Sequence, residues 1–460
     1  MAIGTVLGRL GETQRRVAAR LAIAFRAEGA ALYLVGGAVR SLLLGQAPYD
    51  LDFATDAAPE QIRAAAERAG ATAIHSANER FATVGLELEG EAVEITSFRD
   101  EQAPIDILAD LARRDFTINA MALPVVITSG AETALIDPFD GAGDLAQHTI
   151  RAVADPHARF TEDPLRLVRA VRFAAELDYV IEPETRAAIV SLAPALRRVS
   201  PERVGNELTR LLIAQFVTTG LQLLDRLGLL AETLPELVPL VQFDAPGSKQ
   251  LWTHTQVVVA GAPARQAVRW AALLHDIAKP RTYSVQNGEV HFFGHEVLGA
   301  RIARGVLGRL KQPRELVSAV STLIEQHGRP AQYGPDWTDG AVRRLMLDVG
   351  PYLDDLLALA RADVTSGRQS VRERAWQRID GLAAHCEELL AEQELAKLQS
   401  PLDGTQLMAL FDRPPGPWIR PLKDHLRALV IDGALAPGDE AGAITEARRW
   451  MAERETGDVP

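Results

Sequence analysis

Cysteine is almost missing from this 460-residue sequence; Cys386 is the only one. A single thiol excludes an intramolecular disulfide framework and fits a reducing compartment. Long apolar runs are missing too. Residues 1–30 read as an amphipathic helix carrying Arg9, Arg15, Arg16 and Arg20, and those charges leave no stretch long enough for a signal peptide or a membrane span. The expectation is a cytoplasmic chain with no membrane partner. Internal repeats and low-complexity tracts are also lacking. Nor is there an excess of positive charge: the formal net charge of −12 excludes a globally basic nucleic-acid binder. A local basic face remains open, because screening makes binding depend on nearby charges more than on the total. Arginine supplies most of the cationic charge, and its planar fork suits phosphate.

What is present is enough apolar material, 47%, for a well-packed protein of several domains. Residues 31–125 mix short strand-like runs with helices. Ala31–Val35, Val84–Leu88 and Ala92–Phe98 read as strands, and Pro59–Ala69 as a helix. From about Arg151 the pattern turns almost wholly helical, with breaks at Asp244–Ser248, Gly328–Trp337 and Arg413–Trp418, each rich in Pro or Gly. The expected fold class is α+β, a mixed head followed by a long helical body.

The most informative stretch is Leu34-Val-Gly-Gly-Ala-Val-Arg40 followed by Tyr49-Asp-Leu-Asp-Phe53. A strand running into Gly36-Gly37 and then a helix exposes amides at a helix start, which suits a triphosphate. Arg40, in the first turn, adds a charge-assisted contact. Asp50 and Asp52 are two apart, so on a strand both point to one face. Adjacent carboxylates repel unless a cation lies between them; a hard divalent ion, magnesium foremost, resolves the conflict and can activate an attacking hydroxyl. Glu94, in Val93-Glu-Ile-Thr96, is the candidate third carboxylate from a neighbouring strand. Either motif alone is an ordinary turn; their order and spacing together point to chemistry.

Further along, Arg113-Arg-Asp-Phe-Thr-Ile-Asn119 offers phosphate donors and ribose acceptors in Arg113, Asp115 and Asn119, or else an ordinary helix N-terminus with Asp115 paired to an arginine. In Glu162-Asp-Pro-Leu-Arg166, Pro164 suits a first helical turn, which would put Asp163 and Arg166 on one helix face as acceptor and donor for a base edge, or as a surface salt bridge. These stretches, with Arg169, Arg172-Phe173 and Ser200-Pro-Glu-Arg-Val204 with Glu207-Leu208, resemble the ordered motifs of tRNA nucleotidyltransferases and bacterial poly(A) polymerases, within the polymerase-β-like nucleotidyltransferase superfamily. The resemblance spans essentially the whole chain. One departure is Ser41, where the family usually has Asp after the arginine of the first motif.

The resemblance implies a nucleotidyltransferase head at 1–150, a helical neck at 151–235 and a helical RNA-binding tail at 376–460. It implies transfer of CMP and AMP from CTP and ATP to the tRNA 3′ end, with Asp50 and Asp52 on Mg2+. Asp163 and Arg166 would act as a protein template choosing the base, with Arg169 and Arg172 extending that nucleotide site. The short stretch between Phe98-Arg99 and Arg113-Arg114 falls where the family has a loop that helps the switch from CTP to ATP, and its shortening is associated with enzymes that stop after CC.

Between neck and tail, His254, His275-Asp276 and Asp363 form an H…HD…D series, with His291, His295 and His327 between. Adjacent His and Asp cannot share one face of a straight helix but can both reach a metal where the helix kinks. Mixed imidazole and carboxylate ligands suit a transition ion, a second divalent metal of unassigned identity. The series resembles an HD domain, placed at 236–375, and implies metal-dependent hydrolysis of small phosphate esters. In the tail Arg413, Arg420, Lys423 and Arg427 offer charge to RNA phosphate, or form a solvated face. The competing functions are a poly(A) polymerase, an HD phosphohydrolase with an RNA-binding head, and a tRNA-binding regulator without catalysis.

Overall fold

The computed structural model describes residues 8–78, 83–98, 106–126, 134–245, 250–391 and 399–455. The chain forms two compact units, residues 1–235 and 236–460.

The first unit is built on a six-stranded mixed sheet. Its strands are β1 (Leu32–Val35), β2 (Leu51–Thr55), β3 (Ala73–Asn78), β4 (Thr83–Leu88), β5 (Glu91–Ser97) and β6 (Ala122–Pro124), in the spatial order β3-β4-β5-β2-β1-β6. Every neighbouring pair is antiparallel except β2 with β5. The strands expected at Ala31–Val35, Val84–Leu88 and Ala92–Phe98 are present within a residue at each end, and the helix at Pro59–Ala69 has the expected bounds. β3 and β6 carry too little apolar alternation to be read from sequence: one is Ala-Ile-His-Ser-Ala-Asn, the other three residues long.

Between β4 and β5 the turn is two residues, Glu89 and Gly90, both with positive φ (54° and 80°). That is the hairpin geometry whose twist matches the strands, and it favours glycine. Glu89 bears the left-handed conformation while its carboxylate joins Arg16 and Arg20 at 2.9 Å each. Those arginines lie on helix α1 (Glu12–Ala27), within the stretch read from sequence as an amphipathic helix.

Leu51, Val93 and Leu86 pair across three strands and are at most 2% exposed. Alternation leaves Asp52, Glu94 and Gly85 on the opposite face. The rest of the unit is mainly helical, including α2 (Gly37–Leu43), α3 (Leu165–Leu177) and α4 (Pro201–Leu212).

The second unit is helical apart from the hairpin Ser284–Gln286 with Glu289–His291. Its relevant helices are α5 (Leu251–Gly261), α6 (Gln266–Leu274), α7 (His295–Arg309), α8 (Arg314–Gln326) and α9 (Leu353–Asp363). Cys386 is buried, and burial pushes its thiol up to about 11, which leaves it protonated at neutral pH. No described helix is long and apolar enough to cross a membrane.

Because Leu86 is 2% exposed and pairs with the buried Val93, Leu86→Ala is expected to cost about 3 kcal/mol. Amide exchange in β4 and β5 should show the loss as a matching drop in protection.

Candidate functional site

The carboxylates stand in register on the open face of the sheet. Asp52 pairs directly with Glu94 in the parallel ladder, so their backbones lie about one strand spacing, roughly 5 Å, apart with both side chains on one face. Asp50 is exposed in the bend that leads into β2, one residue short of the strand on which the sequence had placed it. All three line one cavity of about 730 Å3, together with Gly36, Gly37, Arg40 and Ser41. Tyr49 also lines it and is 93% exposed.

Burial, then the charge of Glu94, pushes the Asp52 carboxyl up to about 6; Arg114 opposes the rise and Asp50 adds to it. An all-oxygen set under this mutual repulsion is the chemistry that a hard divalent cation relieves, so the residues present fit magnesium.

Gly36, which starts α2, has φ +67°, and a Cβ there would lie 3.1 Å from Arg114 Nη1 and 3.7 Å from Asp52 Oδ2. Glycine is required both by the backbone angle and by the closeness of the acid.

Behind the carboxylates runs a chain of buried polar groups. Arg40 Nη1 donates to Asn119 Oδ1. Asn119 Nδ2 donates to Asp115 Oδ1 at 3.1 Å, and Arg169 Nη2 donates to Asp115 Oδ2 at 2.7 Å. Arg169 also reaches Glu207 Oε1 at 3.1 Å, and Arg172 Nε donates to Glu207 Oε2 at 2.5 Å. The guanidiniums of Arg40, Arg169 and Arg172 lie 4.9, 5.4 and 4.0 Å from the Phe173 ring centroid. Asp115 does not start a helix, as one sequence reading had it: the helix Ile107–Ala112 ends just before, and Asp115 is buried against Arg169. Arg113 is exposed, outside the cavity lining, and its carbonyl accepts from Arg166 Nη2 at 2.8 Å.

Asp163 and Arg166 are separated by the helix boundary. Asp163 ends the short helix Pro156–Glu162, Pro164 caps α3, and Arg166 lies inside it. The expected shared helix face is therefore absent. Asp163 Oδ2 accepts from Arg203 Nη2 at 2.7 Å, while Arg166 Nη1 donates to Glu162 at 2.9 Å. Neither residue is in the cavity lining, whereas Arg169, Arg172, Phe173 and Arg210 are.

In the second unit the H…HD…D residues converge. His254 Nε2 lies 3.0 Å from Asp363 Oδ1, 3.5 Å from Asp276 Oδ2 and 3.3 Å from His275 Nε2. α6 ends at His275, and the chain turns through Asp276 before the next helix at Lys279, the break that lets adjacent residues reach one point. His295 Nε2 lies 3.6 Å from the other oxygen of Asp276, and Asp276, His295 and His327 form a second set of three possible ligands. His291 stands apart from both sets, stacked on Phe293 at 4.8 Å.

Three histidines hold their Nδ1 atoms against the carbonyl three residues earlier: His275 on Ala272 at 2.9 Å, His295 on Phe292 at 2.7 Å and His327 on Ile324 at 2.6 Å. A carbonyl only accepts, so each Nδ1 carries the hydrogen and each ring turns its Nε2 towards the centre. Asp276 is fully buried and its Oδ1 has no hydrogen-bond partner. Burial works against a charged His275, yet Asp276 and Asp363 raise it to about 10; burial and then His275 push His327 down to about 4. The carboxylates demand positive charge here, and the aimed Nε2 atoms and orphaned oxygen fit a divalent transition ion.

Comparison with known proteins matches three stretches of the chain to family models. Residues 32–151 match the family model of the poly A polymerase head domain, 178–240 that of a probable RNA and SrmB-binding site of polymerase A, and 250–368 that of the HD domain. The chain is 33% identical to the A-adding tRNA nucleotidyltransferase of Deinococcus radiodurans over 440 residues, 91% of this chain and 95% of that one. The chain belongs to the tRNA nucleotidyltransferase family. It is also 32% identical to the CC-adding tRNA nucleotidyltransferase of Thermus thermophilus, over 93% of this chain and 95% of that one. Among solved structures it resembles the Bacillus stearothermophilus CCA-adding enzyme in complex with CTP, with a TM-score of 0.68 and 26% identity over 98% of this chain and 99% of that one.

This tRNA nucleotidyltransferase is a nucleotidyl-transferring enzyme with an α+β head and a helical body. Sequence reasoning missed His75, Ser41 and Arg210 as cavity residues, and Glu176 and Arg203 as ionic partners. Ser41 and Arg203 lay inside quoted motifs; nothing local signalled the others.

Asp115 supplies a pH test. Burial raises its pKa, but Arg169, Asn119 and the Phe116 amide outweigh burial and hold it at about 2 against the usual 3.8. The resulting stabilisation, roughly 2 kcal/mol, is fully present above pH 3.8 and is lost as pH falls through 2. Denaturation of wild type and Asp115→Asn should therefore differ most at neutral pH and converge towards pH 2.

Proposed function

We propose that Asp50, Asp52 and Glu94 form the catalytic centre that transfers CMP and AMP from CTP and ATP to the 3′ hydroxyl of tRNA, releasing pyrophosphate in the cytoplasm. The observation that carries this reading is the single cavity shared by the three carboxylates, the Gly36-Gly37 turn and the arginines of the buried network. Magnesium bound by Asp50 and Asp52 would neutralise the phosphates and acidify the attacking hydroxyl. The protein's own groups do the rest. The amides at the start of α2, with Arg40, receive the triphosphate; Asn119 and Asp115 face the ribose; Arg169 and Arg172 hold the nucleotide flank. Asp163 and Arg166 select the base once Asp163 exchanges Arg203, and Arg166 exchanges Glu162, for the base edge.

A second reading of the product is favoured by the short segment between Arg99 and Arg113. Its residues Ile107–Ala112 are a helix; the stretch 99–105, where the expected family loop falls, lies outside the described residues. A segment this short favours termination after CC.

A gel assay with magnesium and tRNA truncated before CCA separates these outcomes. Two additions from CTP and no third when ATP joins mean a CC-adding enzyme, and three mean a complete CCA enzyme. ATP alone extending a tRNA that already ends in CC, without CTP incorporation, means an A-adding one. Long homopolymers would make it a poly(A) polymerase. Asp50→Ala and Asp52→Ala should each lower incorporation on the order of 10^3-fold or more; normal turnover in either variant would sink the assignment of the carboxylates.

For the second unit we propose a divalent transition-metal site held by His254, His275, Asp276 and Asp363, with Asp276, His295 and His327 offering a second set. A bound ion would supply Lewis acidity towards small phosphate esters. Metal analysis after chelation and reloading should show Asp276→Ala more than about 100-fold weakened in metal affinity, with Asp50→Ala unaffected at this site. Phosphodiesterase activity that survives in Asp50→Ala and is lost in Asp276→Ala would separate the two centres.

A further inference from the structure

At the level of the carboxylates, a row of directly paired residues crosses four strands. His75 on β3 pairs with Gly85 on β4, Gly85 with Glu94 on β5, and Glu94 with Asp52 on β2. Paired residues point to the same face, so His75 stands on the carboxylate face although its strand is three places from β2. The position between His75 and Glu94 has no side chain. A Cβ built on Gly85 would lie 2.5 Å from His75 Nε2, 2.9 Å from its Cε1 and 3.1 Å from its Cδ2. The imidazole therefore lies over the Gly85 backbone, leaning one strand towards Glu94, in space that any other residue would fill. His75 is exposed, and it lines the same cavity as Asp50, Asp52 and Glu94.

The topology indicates what the imidazole meets. Gly36 follows β1 and Asn119 precedes β6, and both strands lie on the far side of β2 from β5. That flank carries the groups assigned above to the incoming nucleotide. On the opposite flank, β3 and β4, His75 is the only polar side chain among the described cavity-lining residues. In phosphoryl transfer the attacking and leaving oxygens lie roughly in line. The acceptor hydroxyl thus enters on the side away from the departing pyrophosphate.

We propose that His75 is an acceptor-binding residue. Its imidazole donates to the ribose-phosphate of the RNA's 3′-terminal nucleotide and holds the terminal hydroxyl against the carboxylates, and Gly85 is the gap that lets it lie there. The proposal rests on the nucleotide orientation given under Proposed function.

The test uses the full-length protein with truncated tRNA and CTP. His75→Ala should raise the KM for tRNA about tenfold with the KM for CTP changed less than twofold. Gly85→Ala, which keeps the histidine but displaces its ring, should reproduce that selective rise. The double variant should be no worse than either alone, and His75→Asn, which keeps a donor, should recover part of the loss. An unchanged tRNA KM in His75→Ala overturns the proposal, as does a CTP KM that rises as much as the tRNA KM. Should wild type incorporate nothing, the reading of the head falls instead. His75 is then judged by tRNA binding without nucleotide, measured by fluorescence anisotropy, where equal affinity of wild type and His75→Ala overturns it.

Discussion

The guanidinium of Arg169 joins the two halves of the catalytic unit. It lies on α3, yet its strongest partners are Asp115, beside the sheet, and Glu207 on α4. Opposite charges on both sides hold Arg169 firmly protonated despite its burial. Through Asp115 it fixes Asn119, and through Asn119 it fixes Arg40 at the mouth of the glycine turn. Through Glu207 it shares a carboxylate with Arg172, which is 1% exposed. Buried ion pairs contribute little net stability, because desolvation offsets attraction, but they tolerate few alternative arrangements. The network acts as a jig, setting the distance from the Gly36-Gly37 turn to the helix that carries Arg169 and Arg172.

The two acidic centres of the chain solve like-charge repulsion differently. On the sheet, backbone register forces Asp52 and Glu94 together, and burial, then the charge of Glu94, pushes the Asp52 carboxyl up to about 6. In the helical unit, imidazoles aimed by main-chain carbonyls surround a single buried carboxylate, and the pull falls on the histidines. The first arrangement offers oxygen alone and the second nitrogen with oxygen, so the two donor sets suit different kinds of cation and share no residue.

Local signals were legible where the chemistry is local. Gly36-Gly37 ahead of a helix, the Asp50–Asp52 spacing and the order of the H…HD…D series need only a few neighbouring residues, and each takes the expected setting apart from the one-residue offset at Asp50. The pairing of Glu94 with Asp52 depends on a parallel ladder between strands some forty residues apart in sequence, which no periodicity encodes. Asp163 and Arg166 failed in the other direction. Their spacing reads as one helix face, but Pro164 starts a new helix and turns the carboxylate to Arg203, forty positions away. His295 and His327 could be suspected but not placed, because only the packing of α7 and α8 brings their rings together beside Asp276. His75 was invisible, since its meaning comes from the missing side chain of Gly85 on the next strand.

The histidines of the second unit carry a consequence for its dynamics. His275 and His327 each follow the last residue of a helix, and each ring is tethered to a carbonyl of that helix's final turn. Fraying of either helix end therefore swings a donor atom out of the centre, and whatever immobilises the donor suppresses the fraying. Helix-end breathing and loss of a donor become one motion, so the exchange of a few terminal amides would clock the residence time of any ion that the rings held.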